Sequence, residues 1–229
     1  MTDLWVCRLG SVEYRAATEL QHALRARRQA DEIPDVLLLL EHPPVYTQGR
    51  RSAQGELPMG EVWYRSQGID VVATDRGGKV TYHGPGQLVG YPILRTTDVL
   101  DHLRTLEGAI VAALADEGIA ARGRVEDGPD YTGVWVGERK IASLGVHLSR
   151  GVTTHGFAVN VENDLQPFEW IVPCGLDHVR MTSVTAEAGE RRTLDCFSRR
   201  VGHRVAEAFG RRQRLVTPHR LDVGEPVTV

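Results

Sequence analysis

The spacing of apolar residues predicts a succession of helices and strands. From Ser11 to about Ala30 they recur at helical spacing among charged residues, which predicts a surface helix. The run from Asp35 to Leu40 is too apolar for burial on one side only, and two prolines soon follow it, so it predicts a central strand. Further strands are predicted where short apolar segments alternate with glycine turns, at 70–73, 88–93, 133–136, 141–147 and 156–161.

Two more helices complete the pattern. Asp98 can cap a second helix that Gly118 brings to an end, and a third helix begins near Thr193. No internal repeat is visible, and helices and strands mix without the regular alternation of a doubly wound sheet. We therefore predict a single α/β (α+β) domain over residues 1–229, with a mixed central β-sheet flanked by helices and a loosely packed tail from about 215 to 229.

The composition is that of a globular protein with little overall charge. Of the 229 residues, 41% are hydrophobic and 25% are charged, and the formal net charge is -3. Such a chain lacks the cationic field of dedicated nucleic-acid-binding proteins. Its densest apolar run, 36–40, is far shorter than a helix that crosses a membrane. The N-terminus also does not have the layout of a secretory signal. From these three features together we expect a cytoplasmic protein with no nucleic-acid or membrane partner.

Common cofactor motifs are incomplete in this chain. Asp75 to Thr81 resembles a phosphate loop but has Ala73 and Val80 where glycine and Ser or Thr are needed. His83 to Gly90 lacks the third glycine of a dinucleotide-binding motif. There is also no H-E-x-x-H and no paired cysteine spacing. We therefore expect neither a cofactor nor a metal.

One of the glycine-rich segments is a candidate binding loop. Glycines make tight turns, and they also let backbone N–H groups approach a ligand closely. In the segment from Arg76 to Gly86 the glycines stand beside several polar side chains, including Lys79, Thr81 and His83. This concentration of polar groups favours binding over a purely structural turn.

Cys174 is the candidate nucleophile. It lies in a Pro-Cys-Gly bend after an apolar stretch, whereas Cys7 and Cys196 fit buried cysteines that serve as small hydrophobic residues. A thiol needs a neighbouring cation or base to be largely thiolate at neutral pH. Lys140, at the start of an apolar strand, is a candidate for that role, although most lysines are simply solvated.

Five motifs in order resemble the lipoyl(octanoyl) transferase family over about residues 36–184. They are Glu41-His42-Pro43-Pro44-Val45-Tyr46-Thr47, Arg76-Gly77-Gly78-x-x-Thr81-x-His83-Gly84-Pro85-Gly86-Gln87, Lys140-Ile141-Ala142-Ser143-Leu144-Gly145, His155-Gly156-Phe157-Ala158 and Pro173-Cys174-Gly175. The resemblance implies a fold similar to the catalytic domains of biotin and lipoate protein ligases. It also implies transfer of octanoyl from octanoyl-acyl carrier protein to a lysine of lipoyl domains, in 2-oxoacid dehydrogenase E2 subunits and glycine cleavage H protein.

The same resemblance assigns roles to residues. Cys174 corresponds to the nucleophile that carries the acyl thioester, and Lys140 to its acid/base partner. The substrate-binding residues are implied to be Arg76, Gly77, Gly78, Lys79, Val80, Thr81, Tyr82, His83, Ser143, Leu144, Gly145, Gly156, Phe157 and Ala158.

Three other functions remain open at this point. An ATP-dependent lipoate or biotin ligase would have a similar Arg-Gly-Gly loop, and a cysteine hydrolase could pair Cys174 with His83 or His155. A binding module without catalysis would not need the thiol. Since acyl carrier proteins and lipoyl domains are typically acidic, we expect docking on a local basic patch, for which Arg50, Arg51 and Arg150 are candidates.

Overall fold

The strands form two sheets in a computed structural model of the chain, which describes residues 2–171 and 179–221. They are β1 (Asp3–Ser11), β2 (Asp35–Glu41), β3 (Val45–Gln48), β4 (Asp70–Ala73), β5 (Val80–His83), β6 (Gln87–Ile93), β7 (Arg122–Gly123), β8 (Gly133–Val136), β9 (Arg139–Ser149), β10 (Val152–Asn160), β11 (Arg180–Met181) and β12 (Arg212–Val216). The larger sheet has the order β12-β1-β2-β6-β10-β9-β8-β7, with β11 also paired to β9, and the smaller has the order β4-β3-β5.

The larger sheet is mixed, as predicted. β1 pairs in parallel with both β2 and β12, and β11 pairs in parallel with β9. The remaining neighbours, from β2 through β6, β10, β9 and β8 to β7, are antiparallel. The strand predicted to be central is indeed internal, because β2 lies between β1 and β6.

Helices cover both faces of this sheet. One face is covered by α1 (Tyr14–Gln29) and the other by α3 (Val99–Ala115), α4 (Val184–Ala188) and α5 (Leu194–Ala208), whereas α2 (Glu61–Ser66) packs on the smaller sheet. The predicted cap of α3 is present, because the Asp98 carboxylate accepts hydrogen bonds from the N–H groups of Leu100 and Asp101. None of the helices in the described ranges combines the length and apolar character needed to cross a membrane. The cytoplasmic location stays a prediction.

The alternation of side chains along β2 accounts for the apolar run. Leu37 and Leu39 pack into a core with α3 and α5, whereas Leu38 and Leu40 pack into a core with α1 on the opposite face. Each of these leucines is buried. A strand that contributes to two cores needs apolar residues at every position.

The structure differs from the sequence predictions at three places. β10 begins at Val152 rather than near Gly156. Its first residues are polar yet buried, and Thr153 satisfies its hydroxyl by donating to the carbonyl of Pro92. Residues 215–221, part of the tail expected to be loose, instead complete the edge strand β12 and bury Leu221. Cys196 is exposed, not buried, because it lies off the apolar stripe of α5.

Candidate active site

Most of the predicted site residues line one cavity that both sheets help to form. These are Arg76, Gly78, Lys79, Val80, Thr81, His83, Lys140, Ser143, Leu144, Gly145, Gly156, Phe157 and Ala158. Counted out to its open mouth, the cavity encloses about 600 Å³. The cavity is also lined by Tyr14, Arg51, Val89, Tyr91, Pro129, Asp130, Thr132 and His155. Of these, the sequence suggested Arg51 only as a docking residue and His155 only as the partner of Cys174 in a hydrolase, and the other six were missed.

Two predicted residues, Gly77 and Tyr82, are not among the described residues that line the cavity. Gly77 donates its backbone N–H to the carbonyl of Val146 and so ties the loop to β9. The Tyr82 ring packs against Tyr46 and Phe168 in the apolar core of the smaller sheet, where burial raises its pKa to about 12. Cys174 lies outside the described residues. The structure therefore offers no support for binding by the side chain of Tyr82.

Lys140 is buried at the wall of the cavity. It is the second residue of β9, and only 1% of its surface is exposed. Its Nζ lies 5.4 Å from the centre of the Trp135 ring, within the range of a cation–π contact. Lys140 is thus buried rather than solvated, whereas its acid/base role stays a prediction.

The space for Lys140 exists because residue 133 is glycine. A Cβ at Gly133 would lie 2.6 Å from Cε of Lys140 and 2.4 Å from the carbonyl oxygen of Ala142. The carboxylate of Glu107 fixes this glycine by accepting its N–H at 2.7 Å, and it also accepts the N–H of Val125. Burial raises the pKa of Glu107, while the backbone donors and the charge of Lys140 act in the opposite direction.

The Arg76 side chain supports the loop beside the cavity. Its guanidinium donates to the hydroxyl and carbonyl oxygens of Thr47, at 2.8 and 2.6 Å from Nη2. It also donates to the carbonyl of Gly77. Thr47 is the last residue of the first of the five motifs. These bonds therefore give that position a structural role, as the acceptor for the guanidinium of Arg76.

A buried hydrogen-bonded chain fixes the tautomer of His83. Gln87 donates its Nε2 to the carbonyl of Tyr82 and to Oδ1 of Asn160, which leaves its Oε1 as an acceptor. Nδ1 of His83 lies 2.8 Å from that oxygen and therefore carries the proton. Burial lowers the pKa of His83 well below its usual value, and nearby His42 adds to the shift. The imidazole at the cavity is thus neutral.

Ion pairs lie at the mouth of the cavity. Asp130 is 3.1 Å from Arg51 and 3.6 Å from Lys79, so a single carboxylate joins two of the loops that line the cavity. Arg50 is exposed next to Arg51, whereas Arg150, the third candidate for a basic patch, is not among the lining residues.

The sequence has relatives with the same organisation. Residues 13–206 match the family described as the lipoyl protein ligase A/B catalytic domain. The chain belongs to this family. Within it, the chain is 50% identical to the octanoyltransferase of Solibacter usitatus over 215 residues, which is 92% of this chain and 93% of that one. This confirms the family resemblance drawn from the five motifs.

Solved structures of ligases share the fold of this family member. The bi-partite lipoate protein ligase of Thermoplasma acidophilum matches with a TM-score of 0.72 at 18% identity, covering 96% of this chain and 91% of that one. The biotin protein ligase of Aquifex aeolicus matches with a TM-score of 0.51 at 13% identity, covering 92% and 70%. The predicted likeness to the catalytic domains of both kinds of ligase is confirmed.

Proposed function

We propose that this chain transfers an octanoyl group from octanoyl-acyl carrier protein to a lysine amine of lipoyl domains, through a thioester on Cys174. The acceptors are the lipoyl domains of 2-oxoacid dehydrogenase E2 subunits and glycine cleavage H protein. Membership of the family and similarity to an octanoyltransferase support octanoyl transfer. The observation that carries the assignment of the site is the buried Lys140 side chain at the wall of the cavity.

The reaction proceeds in two acyl exchanges. The Cys174 thiolate attacks the thioester carbonyl of the donor, the bond to the pantetheine sulfur breaks, and Lys140 gives that sulfur a proton. The neutral Lys140 amine then takes a proton from the incoming ammonium. The amine attacks the acyl-cysteine, the Cys174 thiolate leaves, and the second proton that the nitrogen must lose to become an amide passes to solvent. Both steps exchange bonds at an activated carbonyl, so neither needs ATP or a metal.

The connectivity of the chain supports a role for both residues in one site. Met181 of β11 pairs with Lys140, and the N–H of Thr182 donates to the Lys140 carbonyl at 3.0 Å. Cys174 precedes Met181 by seven residues, and seven residues span at most about 25 Å. The chain therefore connects Cys174 within this distance to β11, the strand that pairs with β9 at the lysine.

Intact-mass analysis after mixing with octanoyl-acyl carrier protein tests the proposal. We expect a single octanoyl adduct on the wild-type protein, no adduct on Cys174→Ala, and an undiminished adduct on Cys7→Ala, whose cysteine is buried with its pKa raised to about 11. Addition of a lipoyl domain should discharge the adduct and add the same mass to that domain. An adduct that survives in Cys174→Ala would refute the assignment of the nucleophile.

The same experiment separates the alternatives. Transfer only in the presence of ATP would indicate a ligase. Release of free octanoate without an acceptor would indicate a cysteine hydrolase, and binding without an adduct would indicate a module that does not catalyse.

A further inference from the structure

His155 has a strained backbone inside β10. Its φ is 57°, in the left-handed region that residues other than glycine rarely adopt. It pairs with Val146 of β9, whose side chain packs into the core under α3 and α5. Directly opposed residues of an antiparallel pair point to the same face. A regular strand would therefore send the imidazole into that core.

The imidazole of His155 instead meets a carboxylate outside that core. Its Nε2 lies 2.7 Å from Oδ1 of Asp75, and Nδ1 of His147 lies 3.0 Å from Oδ2 of the same carboxylate. The hydrogen bond from His155 holds the pKa of Asp75 well below its usual value, whereas burial lowers the pKa of His155. The arrangement is thus a carboxylate that accepts from a neutral imidazole.

Asp75 begins the segment 75–79, which we name the substrate loop. This loop lies directly on β9, because the Gly77 N–H donates to the carbonyl of Val146 at 3.1 Å. A Cβ at Gly145 would stand 2.6 Å from the carbonyl oxygen of Gly77, so β9 carries a glycine where the loop crosses it. The carboxylate of Asp75 reaches β9 through His147 and β10 through His155. It therefore secures the start of the loop to two neighbouring strands.

We propose that Asp75 and His155 are positioning residues for the acyl substrate. Their hydrogen bond holds the substrate loop against β9, in the position where the loop lines the cavity. The inference rests on the proposed function for the identity of that substrate. Strained conformations persist where the surroundings enforce them, and they occur often at functional sites. Here the strain re-aims one imidazole at the loop.

Removal of the carboxylate tests the proposal. In Asp75→Ala, we expect hydrogen exchange at the Gly77 amide to accelerate about tenfold, and both the Kd of octanoic acid and the KM of a small octanoyl thioester to rise roughly tenfold, with kcat changed less than about threefold. Asp75→Asn keeps an acceptor for Nε2 of His155 and should restore most of the binding. Asp70→Ala removes an aspartate from the opposite end of β4, where it pairs with Arg15, and should leave all three quantities unchanged.

A second variant guards against misfolding of the first. His155→Asn tolerates the left-handed backbone but is too short to reach Asp75, and it should reproduce the effects of Asp75→Ala. Unchanged Gly77 exchange and unchanged Kd in both variants would overturn the proposal, as would equal effects in Asp70→Ala. If the wild-type protein transfers no octanoyl group, the proposed function fails, while the exchange and octanoic acid measurements still decide the positioning role.

Discussion

Gly133→Ala tests whether the exact placement of Lys140 matters. The new methyl group would lie 2.4 Å from the Ala142 carbonyl oxygen and 2.6 Å from Cε of Lys140. The lysine side chain can move aside, but the carbonyl belongs to β9 and cannot move without disturbing its pairing with β8. We therefore expect Lys140 to be displaced by on the order of 1 Å.

The expected cost has a structural part and a catalytic part. Gly133 has a φ of 147°, a conformation that strains any other residue by about 1–3 kcal/mol. Overpacking adds about 1–3 kcal/mol, so the free energy of unfolding should fall by roughly 2–6 kcal/mol. A catalytic group misplaced by about 1 Å reduces kcat by about 100-fold.

Gly137→Ala is the matched control. Gly137 lies in the turn between the same two strands with a φ of 57°, but a Cβ there meets nothing within 4 Å. It should lose about 1 kcal/mol of stability and keep its kcat. Urea unfolding and octanoyl transfer from a small thioester measure both quantities. If the two variants, both folded, show the same kcat, the placement of Lys140 is not critical and the reasoning is wrong.

Three further predictions concern charge. Lys140→Ala should raise the pKa of the Cys174 thiol and slow its alkylation at pH 7, and Lys140→Arg should not restore turnover; an unchanged rate profile against pH would contradict this. Burial lowers the pKa of His102 from 6.5 to about 4, so the unfolded chain binds the extra proton and stability should fall by up to about 3 kcal/mol as pH drops through that window. In His102→Leu, urea unfolding should show a smaller fall from pH 7 to pH 4.5, and an equal fall would exclude this residue as a cause. Arg50→Glu should raise the KM for octanoyl-acyl carrier protein but not for a small octanoyl thioester, and an equal change with both donors would indicate damage to the cavity.

Local sequence determined the elements whose signals are short-range. The cap at Asp98 depends only on its carboxylate and the N–H groups two and three residues later, so it could be predicted from the sequence. The apolar run of β2 required burial on both faces and hence a central position. The order of the five motifs was equally legible, and it implied the family that the comparison confirmed.

Tertiary structure alone decided how the site is supported. Tyr82 belongs to the motif that begins at Arg76, yet its ring lies in the core of the smaller sheet. Neighbouring residues of a strand point to opposite faces, so its side chain turns away from the cavity that Thr81 and His83 line. Glu107 lies on α3, far along the chain from the lysine whose surroundings it fixes. The contact of Asp75 with His155 spans 80 residues. It depends on a left-handed backbone conformation at His155 that no residue pattern predicts. Such contacts arise only when the sheet brings distant segments together, and for that reason the sequence predicted which residues form the cavity better than what holds them in place.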